Sequence, residues 1–339
     1  MDTVTVDSSE GATGRTAGVV GSTDVAPEAL EQYRRELTGY CYRMLGSASE
    51  AEDAVQDTMT KAWKAADRFE GRSSARSWLY RIATNVCVDM QRSPQRRARP
   101  MELRTSSPPD PAHLADVLPE HAWITPVADD RVISMSADPA DAALARDSIR
   151  LAFVAALQHL PARQRASLIL CEVLGWQAAE VAELLDTTPA AVNSALQRAR
   201  ATLAERPASV ETSVDDPQRR ALLERFVDAF ERYDVDAIVG LLHDDAVQSM
   251  PPYAMWIEGS ENIGAWLLGP GIGCEGSRLV ATNASGCPAF GQYRVDPEGG
   301  FAPWGLQVLE ITGDRISGYH NFLDTDTLFP LFGLPAHLD

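Results

Sequence analysis

Five polar side chains near the middle of the chain, Asn193, Ser194, Gln197, Arg198 and Arg200, recur at spacings that put them on the outward side of one helix. Their chemistry is hydrogen bonding. Arg matches guanine O6/N7, Asn and Gln match adenine, and each can also reach phosphate. Val192, Leu196, Ala199 and Leu203 repeat at spacings of four, three and four, a stripe that packs inward. Thr188 can cap this helix and Pro189 suits its first position. Residues 160–176 and 178–185 read as two further short helices, and Asp186-Thr-Thr188 reads as the turn. The result is a helix-turn-helix whose second helix is offered to a major groove, so duplex DNA is the first partner to test. Arg163 and Arg165, at the start of the leading helix, suit phosphate contacts. Which residue reads a base is not fixed by the sequence, and a solvated three-helix bundle would carry the same pattern.

A second basic set lies upstream. Arg68, Arg72, Arg76, Arg81, Arg92, Arg96 and Arg97 fall in thirty residues, interleaved with Phe69, Trp78 and Tyr80. Cations beside aromatics suit a single strand, the arginines tracking its backbone while bases stack or enter pockets. Trp78 also fits a core position. Asn85, mid-helix and near the basic loop 69–74 that includes Ser73, is a candidate base contact.

Helical elements must position these groups. Leu30, Tyr33, Leu37, Tyr40 and Cys41 form one apolar stripe. Ser49 can cap a second helix over residues 50–66, with Val55, Met59, Ala62 and Trp63 inward and Asp53, Gln56, Asp57, Thr60 and Lys64 opposite. A third helix spans roughly 75–91, with Trp78, Leu79, Ile82, Ala83 and Val86 inward. Residues 98–139 lack sustained periodicity and read as a linker; apolar patches at Trp123-Ile-Thr-Pro126 and Val132-Ile133 suggest that it docks. The chain therefore divides into a polar tail (1–26), expected to be disordered, a helical domain (27–97), the linker, a helix-turn-helix domain (140–206), a short connection (207–217) and a C-terminal domain (218–335).

In that last domain the pattern changes to two helices (218–233, 236–242), a helical piece (263–268) and five β-prone segments (246–250, 279–283, 289–295, 304–311, 315–322), an α+β layout. His243, Asp244 and Asp245 sit at an expected helix end. Tyr253, Trp256, Trp266, Trp304 and His320 could line a cavity or fill a core.

The formal net charge of −18 is unevenly spread. Residues 29–97 carry 12 Lys/Arg against 9 Asp/Glu, residues 144–206 carry 7 against 6, and residues 215–339 carry 7 against 19. Two weakly basic domains imply modest, salt-sensitive DNA affinity and a larger partner to supply the rest. The five cysteines form no close pair and fit reduced thiols in a cytoplasm, no apolar run approaches a membrane span, and no metal or cofactor motif is evident.

Tyr40-Cys-Tyr-Arg-Met-Leu-Gly46, Ala51-Glu-Asp-Ala-Val-Gln-Asp-Thr58 and Ala75-Arg-Ser-Trp-Leu-Tyr-Arg-Ile-Ala-Thr-Asn85 resemble region 2 of bacterial sigma-70-family factors of the extracytoplasmic-function group. Leu160-Pro-Ala-Arg-Gln-Arg165 and the helix-turn-helix resemble region 4. The resemblance implies a non-enzymatic promoter-recognition factor working with core RNA polymerase. It assigns Asp53, Gln56 and Asp57 to polymerase, Arg68, Phe69, Arg72, Ser73, Arg76, Arg81 and Asn85 to the melted −10 strand, and Arg163, Arg165, Asn193, Ser194, Gln197, Arg198 and Arg200 to the −35 duplex. Leu241-Leu-His-Asp-Asp-Ala-Val-Gln-Ser-Met-Pro-Pro252, with Trp256 and Gly259, resembles SnoaL-like domains of the NTF2-like superfamily. That implies a curved sheet around a pocket, with His243, Asp245, Tyr253, Trp256, Trp304 and His320 as lining candidates. It also implies a regulatory domain that packs on its own sigma domains or on polymerase. Small-ligand sensing and catalysis are further readings of that pocket, and a polymerase-independent DNA-binding regulator is the rival for the whole chain.

Overall fold

A computed structural model describes residues 26–71, 73–91, 97–133, 138–204 and 217–339. Arg72, Arg92, Arg96, residues 1–25 of the tail and 207–216 of the short connection lie outside the described residues. The first module holds α1 (Pro27–Glu31), α2 (Arg34–Leu45), α3 (Ala48–Ala65) and α4 (Ala75–Met90). Leu37, Tyr40, Met44, Val55 and Leu79 are fully buried where these helices meet. Each such side chain contributes roughly 1.5–3 kcal/mol. α2 ends at Gly46, whose φ of 74° is left-handed and whose added Cβ would lie 2.7 Å from Ile124. Ser47, not Ser49, caps α3, accepting from the Glu50 amide at 3.4 Å. Trp63, expected inward, is 64 % exposed. The buried line of α3 runs through Ala51, Ala54, Val55, Thr58 and Ala62, and one further residue rotates the chain by about 100° onto the side of Gln56 and Thr60.

The linker is built into the structure. It contains α5 (Pro100–Leu103) and α6 (Asp129–Val132). Arg97 is 6 % exposed, pairs with Glu50 at 2.5 Å and donates to the Glu120 and Trp123 carbonyls, so it clamps the linker rather than facing nucleic acid. Trp123, Ile124, Val132 and Ile133 are buried, as their apolar character predicts.

The second module comprises α7 (Pro139–Asp147), α8 (Leu151–Leu157), α9 (Ala162–Leu168) running on into a wider π turn (Ile169–Val173), α10 (Ala178–Leu184) and α11 (Pro189–Ala204). Thr188 Oγ1 accepts from the Ala191 amide at 3.2 Å, the expected cap.

The C-terminal domain holds α12 (Pro217–Glu231), α13 (Val235–Leu241), α14 (Ser260–Leu268), α15 (Thr325–Leu331) and strands β1 (Leu242–Ser249), β2 (Trp256–Glu258), β3 (Arg278–Ala284), β4 (Cys287–Val295), β5 (Phe301–Thr312) and β6 (Arg315–Phe322). They form one sheet in the order β2-β1-β6-β5-β4-β3, with β1 and β6 parallel and the other pairs antiparallel. Leu338 pairs with Phe301, so the domain runs past the expected end at 335. His243, Asp244 and Asp245 lie on β1 rather than in a turn, because the strand begins directly after α13.

Period-two alternation splits the sheet between two cores. Leu306, Val308, Tyr293 and Phe322 join one continuous core with the helical modules, while Leu309, Phe290 and Tyr319 face α12, α13 and α14. The C-terminal domain thus packs on its own helical domains. Tyr42 Oη lies 3.1 Å from Ser285 Oγ in the β3–β4 turn, the Ser285 amide donates to the Val127 carbonyl, and the Gly286 amide donates to Asp129 at 2.8 Å.

Candidate nucleic-acid interfaces and C-terminal cavity

α11 turns Asn193, Ser194, Gln197, Arg198 and Arg200 to solvent and buries Val192, Leu196 and Ala199. The exposed set can therefore reach a groove. Arg200 already pairs with Glu172 of the π turn, which leaves Arg198 as the cation on that helix better placed for a bidentate base contact.

Arg163 is exposed, but Arg165 is not available to phosphate. It is 5 % exposed and donates to the Met44 carbonyl at the end of α2, to Gln158 Oε1 at 2.5 Å and to the Gln158 and Leu160 carbonyls. Burial lowers its pKa to about 10, so it remains a cation in a shell of carbonyls. Its place one turn into α9 points it at the first module, and spacing alone could not separate it from Arg163.

In the first module, Arg68 and Asn85 are exposed, while Ser73, Phe69 and Trp78 are half-buried. The Phe69 and Trp78 rings meet at 5.0 Å, so the pair forms a partly open aromatic platform. Tyr80 is fully buried against Tyr40 and Trp176 and cannot stack on a base. Arg76 pairs with Glu36 at 3.0 Å, and its guanidinium sits 5.1 Å from the Trp176 ring. Arg81 donates to the Glu183 carbonyl of α10 at 2.8 Å. Arg81 is thus spent on the second module, and Arg76 is shared between Glu36 of α2 and Trp176 of the second module.

Asp53, Gln56 and Asp57 are exposed together on α3, and Trp63 extends that face. Trp63 was legible as an aromatic in an amphipathic helix, but not its side, because position 63 borders both faces.

The C-terminal cavity has a volume of 220 Å³. Tyr253 and Trp304 line it, together with Gln248, Met250, Trp266, Arg294, Tyr319 and Asn321. The other lining candidates lie elsewhere. His243 pairs with Asp245 on the exposed start of β1. Trp256 donates to the Arg104 carbonyl at 2.8 Å and holds the linker. His320 is buried on the opposite sheet face, 2.8 Å from Ser249 Oγ and 3.7 Å from Glu310. Alternation along β6 explains this: Tyr319 and Asn321 point into the cavity, so His320 points away. Among the described residues the lining includes no Asp, Glu or His, and no group of His, Cys, Asp or Glu is arranged to hold a metal. No helix among the described residues is long and apolar enough to cross a membrane.

Residues 29–97 match the family described as Sigma-70 region 2, residues 150–203 match Sigma-70, region 4, and residues 223–319 match the SnoaL-like domain. The sequence is 44 % identical over 313 residues to the ECF RNA polymerase sigma factor SigG of Mycobacterium tuberculosis, covering 91 % of this chain and 83 % of that one. It is 27 % identical over 284 residues to SigJ of the same organism, covering 78 % of this chain and 83 % of the relative. The crystal structure of M. tuberculosis SigJ superposes with a TM-score of 0.58 at 22 % identity, covering 92 % of this chain and all of that one, and so shares the fold.

Proposed function

The chain belongs to the extracytoplasmic-function sigma factors of the sigma-70 family, and from that premise we propose which of its surfaces carry out promoter recognition and how they are held at rest. A factor of this family binds core RNA polymerase, recognises the −35 and −10 elements and promotes transcription initiation. The observation that carries the assignment is the 44 % identity spread over 91 % of the chain, through both sigma regions and the appended domain.

The exposed α3 face of Asp53, Gln56, Asp57 and Trp63 docks on polymerase, with Trp63 as its apolar anchor. Gln197 and Arg198, flanked by Asn193 and Ser194, read the −35 duplex, and Arg163 holds phosphate. Arg68, Ser73, Asn85 and the Phe69–Trp78 platform take the melted −10 strand. Arg76 joins them only after leaving Glu36 and Trp176, and Arg81 only after leaving Glu183, so the closed arrangement described here is a resting one. The C-terminal domain favours that state by sharing a core with the helical modules, and serves as a docking and binding module rather than a catalyst. The factor works in the cytoplasm, where polymerase is found.

Reconstitution with purified core polymerase on a fork-junction promoter tests this reading. Open-complex formation that depends on Arg198 and Trp63 is the expected result. Sequence-specific duplex binding without any response to polymerase would replace it with an autonomous regulator.

A further inference from the structure

The cavity in the C-terminal domain combines one cation, unpaired amide oxygens and a lid that belongs to another part of the chain. Among the described residues, Arg294 on β4 is the only charged side chain in the lining. Its guanidinium lies 3.9 Å from the Trp304 ring centroid, one Nη donates to Cys274 Sγ at 3.1 Å, and its buried Nε has no partner among the described residues. Stacking on the ring fixes the plane of the fork, which favours planar recognition of a carboxylate. A single cation without a second basic group or a nest of amides is a weak cradle for a phosphate dianion.

Opposite polarity is supplied by β1 and β6. Gln248 and Asn321 are each 2 % exposed, and Gln248 Oε1 and Asn321 Oδ1 accept nothing among the described residues. Both line the cavity. Behind them the floor amides are engaged through their donors: Gln292 donates to Ser277 at 2.9 Å, and Gln307 donates to Gln292 at 2.8 Å and to Tyr319 Oη at 3.1 Å, while Gln307 Oε1, outside the lining, accepts nothing among the described residues. The two free oxygens therefore ask for hydrogen-bond donors from an occupant. Aromatic and thioether walls from Tyr253, Trp266, Trp304 and Met250 suit a flat apolar body. The volume of 220 Å³ has room for roughly seven waters at about 30 Å³ each, a metabolite rather than a drug-sized molecule.

The lid is the linker between the two sigma regions. Trp256 donates to the Arg104 carbonyl, the Ser107 amide to the Trp256 carbonyl, the Leu118 amide to the Pro252 carbonyl and the Ala254 amide to the Asp116 carbonyl. Val117 bridges Tyr253, Arg104 pairs with Asp116, and Leu114 enters the cavity wall. An occupant therefore touches Tyr253 and Leu114 together.

We infer that this cavity binds a small planar carboxylate bearing a hydroxyl or amine donor, and that occupancy fastens the linker to the C-terminal domain. The second half rests on the reading of that domain as a docking module; the first does not, because binding is measured without polymerase.

The test uses the full chain and three probes: 4-hydroxybenzoate, benzoate and the neutral 4-hydroxybenzamide, titrated by calorimetry and tryptophan fluorescence. 4-Hydroxybenzoate should bind, with benzoate weaker and the amide weaker by about tenfold or more, reflecting loss of the charge-assisted contact. Arg294→Gln should lower 4-hydroxybenzoate affinity by a similar factor of about ten, with circular dichroism checking that the variant, altered at a half-buried position, folds. On binding, exchange of the Ser107, Leu118 and Ala254 amide protons should slow. Absence of binding by all three probes, or equal binding of acid and amide to the unsubstituted chain, overturns the ligand assignment without needing any variant. Binding with unchanged exchange at those amides overturns the lid.

Discussion

Tyr42 Oη stands 3.1 Å from Ser285 Oγ, across 243 residues of sequence, and also donates to the Thr125 carbonyl at 3.0 Å. One hydroxyl thus ties a helix of region 2, the linker and a hairpin of the C-terminal domain. The adjoining Gly286 has a φ of 73°, and a Cβ there would lie 2.6 Å from the Arg146 carbonyl oxygen, so the hairpin tip fits only as glycine. Gly286→Val should undock the tip. Hydrogen exchange of the Ser285 amide, which donates to Val127, should accelerate by about tenfold or more, the equivalent of roughly 1.4 kcal/mol of local stability. Unaltered exchange would remove the tip from the interface.

Asp129 beside that tip makes docking pH-dependent. Burial raises its pKa to about 6 from an ordinary 3.8, against a partial offset from the Gly286 amide. A carboxyl whose folded pKa is raised holds its proton longer in the folded state. Its contribution is therefore most favourable below about pH 4 and is lost as pH rises toward about 6. Asp129→Asn should stabilise the chain by about 1–3 kcal/mol at neutral pH and by little near pH 4, read from urea unfolding at both. A difference that stays constant between the two pH values contradicts the assignment.

Trp63 separates binding from folding. Trp63→Ala should weaken association with core polymerase by about 2 kcal/mol or more, as loss of an interface aromatic does, with thermal stability hardly changed because the ring is 64 % exposed. Fluorescence anisotropy with labelled factor gives the first quantity and calorimetry the second. Normal polymerase affinity would clear Trp63 of the role.

Arg198 and Arg200 should behave differently. Arg198→Ala is expected to cost about 1–3 kcal/mol on a cognate −35 duplex and less on a scrambled one. Arg200→Ala should do less on both, since Arg200 is engaged by Glu172. Equal losses on every duplex would assign Arg198 to phosphate.

Arg165 and Arg163 form a matched pair for the region 2–region 4 contact. Arg165→Met removes the Arg165 donor from Gln158 Oε1 and from the Gln158 and Leu160 carbonyls, leaves the Met44 carbonyl to Gln91 alone, and should destabilise by about 2–4 kcal/mol. Arg163→Ala should leave stability unchanged and reduce duplex affinity with a shallower salt dependence. Chemical denaturation and salt-series binding distinguish the two outcomes.

The elements themselves were legible from periodicity: α4, α11, α12 and β6 lie within two residues of their expected bounds. What escaped was orientation across domain contacts. Arg165, Arg76 and Arg81 read as cations for nucleic acid because sequence shows a charge but not the carbonyls or carboxylate awaiting it in a distant segment. His320 read as a pocket residue because the strand register on β6 fixes the face, and a shift of one residue reverses it. β2 was missed because three residues carry no measurable alternation, and α15 because Pro330 sits inside it. The cavity's chemistry lay in Gln248, Arg294 and Asn321, whose polar character in strands expected to be apolar inside was the available signal.

Because the Ser285–Gly286 tip and its seat at Tyr42 and Asp129 belong to one polypeptide, the restraint is present at one copy per factor whatever the amount synthesised. A separate inhibitor can be outnumbered when expression surges; a tethered one, acting at a fixed effective concentration, cannot be titrated away. Under the proposed resting state, raising the abundance of this factor would multiply closed and open molecules in the same proportion, so the active fraction would be set by whatever shifts that ratio.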